Sequence, residues 1–167
     1  VTTSRDAYQF IRDTILKGIE VQEHFVAIYL NQANKIIGYY HHSTGTINAT
    51  MVDVEIVAAV ALKTLAKSVI ISHNHPSGNL TPSEADRTLT RRIKEALKLF
   101  DIHLLDHVIV TRNGYYSFAE SRDRSINGLG AVKSELEDEL RQEILRQLKR
   151  LTEVNSPNLF QMIQTPQ

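Results

Sequence analysis

The stretch S68-V-I-I-S-H-N-H-P-S-G-N-L-T-P-S-E-A-D86 decides how this chain reads. Residues 68–72, SVIIS, form a short apolar, β-branched run that predicts a buried strand. His73 and His75 follow it directly. If the backbone stays extended, side chains at i and i+2 point the same way, so the two imidazoles converge. The segment HNHPSGNLTP reads as a loop, and a helix follows it from Pro82 to about Phe100. Its start carries a Thr81 N-cap, Pro82 at the first helical position and Glu84 completing a capping box. That register sets Ser83 and Asp86 on one face. Leu89, Ile93, Ala96, Leu97 and Phe100 continue the stripe, so Asp86 is predicted to point towards the core. A buried carboxylate without a partner costs several kcal/mol. A metal ion supplies the missing charge. Two histidines and one aspartate leave a fourth tetrahedral position open for water, the pattern of a catalytic zinc site.

The rest of the sequence alternates strands and helices, which predicts an α/β fold with a mixed sheet flanked by helices. Residues 4–18 read as a helix with Ala7, Phe10, Ile11, Ile15 and Leu16 on one face and Gly18 as its stop. FVAIYLN (25–31) and KIIGYYHH (35–42) read as a hairpin broken at residues 32–34. STGTINATM (43–51) reads as loop and short strand, and Asp53 is placed to cap a helix reaching about Ala66. DHVIVT and YYSF flank Arg112-Asn113-Gly114, a hairpin turn. From Val132 to Leu151 a stripe of Leu136, Leu140, Ile144, Leu148 and Leu151 marks an amphipathic helix, joined through residues 128–130. That stripe either packs on the domain or pairs with a second copy, giving a homodimer. The expected organisation is a domain over 1–127, this helix over 128–154 and a loose tail over 155–167.

Composition narrows the chemistry. Of 167 residues, 42% are hydrophobic and 23% charged, enough for an ordinary core. There is no cysteine, which excludes disulfides and every thiolate zinc site. The formal net charge is zero, which does not favour a strong nucleic-acid binder. A nucleic-acid role would rest on Arg87, Arg91, Arg92, Lys94 and Lys98 along one helix, which also reads as a solvated face. The longest apolar run, IVAAVAL (56–62), is far short of the ~20 residues that span a bilayer. No signal-peptide pattern opens the chain, so the expectation is a cytoplasmic protein with no membrane partner. It begins at Val1 rather than Met, as a trimmed piece of a longer protein does.

His73-x-His75, seven residues, Ser83, two residues, Asp86 resembles the JAMM (JAB/MPN) metalloprotease motif with its spacing intact. The surrounding text TINATMVDVEIV, HNHPSGNLTPSEAD and LLDHVIVTRNGYYSFAE is similar to the JAB domain of bacterial RadC-like proteins, over roughly residues 1–120. The helix–hairpin–helix segment that such chains carry upstream is absent, and the C-terminal helix is additional. The resemblance implies a cytidine-deaminase-like fold with a zinc hydrolase site acting on a peptide or protein substrate. Deamination is disfavoured, because that signature needs Pro-Cys-x-x-Cys ligands. It also implies an upstream glutamate as general base, best matched by Glu23, with Glu20 and Glu55 as rivals. Water would attack an amide carbonyl while the Ser83 hydroxyl supports the oxyanion. Pro76 and Gly78 shape the loop, and Ser77 and Asn79 are placed to meet substrate. Asp106, His107 and Ser72 are candidates to orient the histidines, while His24, His41, His42 and His103 are not expected to be ligands. RadC-like proteins also carry a DNA-repair label, which implies a rival role through nucleic-acid or protein binding. A third role, a scaffold without catalysis, is disfavoured by the intact motif.

Overall fold

A computed structural model describes residues 1, 3–15, 22–45, 52–127, 134–153 and 160–162. Its centre is a six-stranded mixed sheet. The strands are β1 (Glu23–Leu30), β2 (Ile36–Gly45), β3 (Ser68–Asn74), β4 (His103–Thr111), β5 (Gly114–Ser117) and β6 (Phe160–Met162). They lie in the order β5-β4-β3-β1-β2-β6. The β3–β4 pair is parallel and the other neighbours are antiparallel. The helices are α1 (Ser4–Phe10), α2 (Val54–Lys63), α3 (Glu84–Lys98), α4 (Arg124–Asn127) and α5 (Ser134–Glu153). Among the described residues no helix is long and apolar enough to cross a membrane.

Strand alternation divides the core. Phe25, Ala27 and Tyr29 of β1 join Val69 and Ile71 of β3 on one face, covered by α2, α3 and α5. Val26, Ile28 and Leu30 join Ile70, Val108 and Val110 on the other, covered by Ala7 and Ile11. Nearly every residue of β1 and β3 is therefore buried, which is why both read as continuous apolar runs.

Several boundaries differ from the sequence reading. The first helix does not run regularly to Gly18. It passes at Ile11–Ile15 into a π-helical turn, and residues 16–18 lie outside the described residues. Helix α2 stops at Lys63 rather than near Ala66. Leu65 takes the left-handed conformation at φ 57°, Ala66 N–H donates to Ala61 O, and Leu65 N–H donates to Leu62 O. These two bonds close a Schellman motif without the usual glycine. Helix α3 begins at Glu84, two residues later than expected, with Ser83 and not Thr81 as its N-cap. In the β4–β5 hairpin the turn is Arg112-Asn113, and Gly114 already pairs with Thr111. The predicted loop over 43–51 falls mostly outside the described residues, as do the join at 128–130 and most of the tail.

The C-terminal stripe packs on this same chain. Ile144 is fully buried against the α2 side of the core, with Leu140, Leu148 and Leu151 around it. Lys63 Nζ caps the end of α5 by donating to Leu151 O at 2.8 Å. Leu136, at the start of the stripe, stays 55% exposed.

Candidate metal centre

Strand β3 extends two residues past the predicted SVIIS and carries His73 and Asn74 into the sheet. His73 pairs with Phe25 of β1 and Ile109 of β4. His75 follows at the strand end, held by its backbone N–H donating to Val110 O. The chain stays extended, and the two imidazoles meet with His73 Nε2 and His75 Nε2 2.8 Å apart.

Asp86 closes the group from α3. Ser83-x-x-Asp86 is itself a capping box. Asp86 N–H donates to Ser83 Oγ at 3.0 Å, and Ser83 N–H donates to Asp86 Oδ2 at 2.8 Å. Asp86 Oδ1 then lies 3.1 Å from His73 Nε2, and Oδ2 3.4 Å from His75 Nε2. The register is two residues off the predicted one, and its consequence is chemical: the box aims the carboxylate at the histidines. Asp86 does not enter the apolar core as the stripe suggested. Its side chain is 15% exposed on a cleft wall, while Leu89, Ile93, Ala96 and Leu97 make the core contacts.

Among the described residues these three side chains are the one cluster able to hold a metal ion. Their donor atoms are 2.8, 3.1 and 3.4 Å apart. Zinc with bonds of ~2.0–2.1 Å in tetrahedral geometry sets its donors about 3.3 Å apart. The donor chemistry fits as well. His75 Nδ1 is 2.6 Å from Asn79 O, a carbonyl that can only accept, so Nδ1 carries a proton. The other nitrogen of a neutral His75 then presents a lone pair to Asp86, which only a cation or a proton can bridge. Hydrogen bonding to Asp86 accordingly raises the His75 pKa, partly against burial. Burial opposes the ionised Asp86 carboxyl, but its close contacts with His73 and His75 outweigh it and hold Asp86 far below the usual carboxylate range.

The group opens into a cleft of ≈ 420 Å³. Glu23, Ser83 and Thr81 line it beside the three side chains, with the loop residues Pro76, Ser77 and Asn79. Gly78 turns that loop at φ 82°, a conformation suited to glycine. Glu23 is the first residue of β1. Glu55 is not on the cleft. It sits in the first turn of α2, where a hydrogen bond with Asp53 and burial raise its pKa. Glu20 lies outside the described residues.

Two contacts had no counterpart in the sequence reading. Asn74, between the histidines, points the opposite way and is fully buried. Its Nδ2 donates to Gln22 O at 2.7 Å, and its Oδ1 accepts from His24 N–H at 2.6 Å. This amide holds the backbone on both sides of Glu23. The second contact is Thr90, one turn beyond Asp86, whose Oγ1 lies 2.6 Å from His107 Nδ1. His107 reaches His73 Nδ1 at 2.8 Å, and burial among aromatic rings pushes its pKa well below the ordinary imidazole value. Of the other candidate orienters, Ser72 donates to Val108 O, and Asp106 accepts from Ser117 Oγ and Ala119 N–H. On the basic face of α3, Arg87 pairs with Asp123 and Glu84, and Arg91 donates to Ser125 and Thr88.

A family model described as a RadC-like JAB domain matches residues 1–124. A UPF0758 protein of Flavobacterium johnsoniae is 41% identical over 120 residues, covering 72% of this chain and 52% of its own. A UPF0758 protein of Chlorobium phaeovibrioides is 37% identical over 122 residues, or 73% of this chain and 54% of its own. The UPF0758 protein YfjY of Escherichia coli K12 is 46% identical over 105 residues, covering 63% and 65% respectively. The chain thus spans between about half and two thirds of the length of these relatives.

Proposed function

This chain belongs to the RadC-like JAB domain family, and from that premise we propose that it is a zinc-dependent hydrolase that cleaves peptide or isopeptide bonds. The observation that carries the reading is the convergence of His73, His75 and Asp86 within 3.4 Å of one another, on a cleft that Glu23 also lines. His73 and His75 would hold the ion through Nε2, and Asp86 through its carboxylate. Bound zinc supplies a Lewis acid that brings the pKa of water towards ~7 and polarises a carbonyl.

Glu23 takes the proton of the attacking water and returns it to the leaving amine. It is held for that work by the Asn74 amide on both of its flanks. The Ser83 oxygen is occupied as acceptor for Asp86 N–H, which leaves its own hydrogen to donate to the developing oxyanion. Ser77, Asn79 and Thr81 give the cleft a polar lining suited to the amides of an extended peptide chain.

Incubation with a library of linear peptides and Lys-linked isopeptides should release new amino groups. Removal of metal by a chelator should abolish release, and one equivalent of zinc should restore it. Hydrolysis that persists in metal-free protein would count against the reading, as would zinc-loaded protein inert towards every amide offered.

A further inference from the structure

We propose that Thr90 and His107 are positioning residues that fix the proton of His73 on Nδ1, so that its Nε2 presents a lone pair to a metal ion before any ion arrives. The inference rests on the reading of His73 as a ligand.

It follows from counting hydrogens along one chain of contacts. Thr90 Oγ1 lies 2.7 Å from Asp86 O. A carbonyl oxygen has no hydrogen to give, so the single hydroxyl hydrogen of Thr90 goes there. Thr90 Oγ1 also lies 2.6 Å from His107 Nδ1. With its hydrogen spent, the hydroxyl can only accept, so His107 carries a hydrogen on Nδ1. His107 is fully buried, stacked on Phe118 at a centroid distance of 4.6 Å and edge-on to Phe25 at 6.3 Å. A second hydrogen would place a charge in that apolar pocket, which burial disfavours. His107 Nε2 is therefore an acceptor. It lies 2.8 Å from His73 Nδ1, and His73 must supply the hydrogen of that contact. The remaining nitrogen of neutral His73 is the one that faces Asp86 Oδ1 at 3.1 Å.

The relay does a second thing. It starts at the backbone of Asp86 and ends at the ring of His73, so one hydrogen-bonded line ties α3 to β3 through β4. A shift of either ligand breaks the same line. Asn79 O does for His75 what His107 does for His73, since its carbonyl fixes the proton on Nδ1. Both imidazoles are thus set to the same tautomer by independent partners.

The test uses the full chain, metal-free and ¹⁵N-labelled, in buffer alkaline enough to hold neutral imidazole. Long-range ¹H–¹⁵N correlation of the ring nitrogens should find His73 protonated on Nδ1. Zinc affinity, measured by competition with a chromophoric chelator, should fall ~10–100-fold in His107→Phe. It should return to within a few-fold in His107→Gln, whose amide oxygen can accept from His73 Nδ1. In His107→Phe and Thr90→Val the His73 tautomer should lose its fixed preference, a change that mere packing damage would not produce. Circular dichroism checks that each variant folds. Should His107→Phe fail that check, the wild-type tautomer and Thr90→Val decide alone. Neutral His73 protonated on Nε2 in the wild type would overturn the relay. So would an unchanged His73 tautomer or zinc affinity in folded His107→Phe. A wild type that shows the stated tautomer yet binds no zinc would sustain the relay and refute the metal reading, so the two failures are distinguishable.

Discussion

Replacement of Asp86 by alanine should lower zinc affinity more than ~100-fold, beyond the ~10–100-fold that follows loss of a residue touching a ligand. Two effects add. The substitution removes one donor of three, and it removes the only carboxylate of the cluster, so a divalent ion would meet two neutral imidazoles and no compensating charge. It also deletes half of the capping box, because Asp86 Oδ2 accepts from Ser83 N–H. That structural part is small, about 1 kcal/mol for a helix cap. Asp86→Asn separates the two. Its amide oxygen can keep the bond to Ser83 N–H while the charge is lost, so it should retain thermal stability and still lose zinc. Metal analysis of the two purified variants with a thermal melt checks this. Zinc bound at wild-type affinity in a folded Asp86→Ala protein would remove Asp86 from the ligand set.

Glu23→Gln should do the reverse. Zinc content should match the wild type, because the three donor atoms are untouched. Turnover should fall ~10²–10⁴-fold, the range associated with loss of a general base. Glutamine fills the same volume at the head of β1, and the Asn74 bonds go to the backbone of Gln22 and His24 rather than to this side chain. KM should therefore move little while kcat collapses. Single-turnover kinetics on the substrate found in the library assay measures both. Turnover close to wild type would send the search for the base away from Glu23. Glu55 would not take its place, since it lies in the first turn of α2 beside Asp53.

Much of this was legible because it is local. Strand alternation predicts that His73 and His75 converge, and the structure brings their Nε2 atoms to 2.8 Å. The helix stripe predicts Asp86 as a core-facing carboxylate beside them, and the structure brings it to 3.1 Å from His73 Nε2, though on a cleft wall rather than in the core. The cap register was harder, because two capping boxes overlap: Thr81-x-x-Glu84 and Ser83-x-x-Asp86. Local preference separates them weakly. The second wins here, and it is the one in which the box carboxylate also meets His73 and His75. The sequence offers His107 as one of three candidates to orient the histidines, but the contacts that choose among them depend on strands distant in sequence. His107 reaches His73 because β3 and β4 run parallel with Ile71 opposite His107. Thr90 joins them because α3 packs over that point. Asn74 brackets Glu23 only because β1 lies antiparallel to β3 with Phe25 opposite His73. No periodicity within one segment encodes such registers. The π-helical turn at Ile11–Ile15 was invisible for another reason: an apolar stripe has nearly the same spacing whether or not one turn widens.

His73, His75 and Asp86 are proposed to hold one zinc ion. Crystals of the zinc-loaded chain, measured on both sides of the zinc absorption edge, test it most directly. One anomalous peak is predicted, ~2.0–2.2 Å from His73 Nε2, His75 Nε2 and an Asp86 carboxylate oxygen. A folded, zinc-soaked protein with no peak between these residues, or with its ion bound elsewhere, would contradict the account.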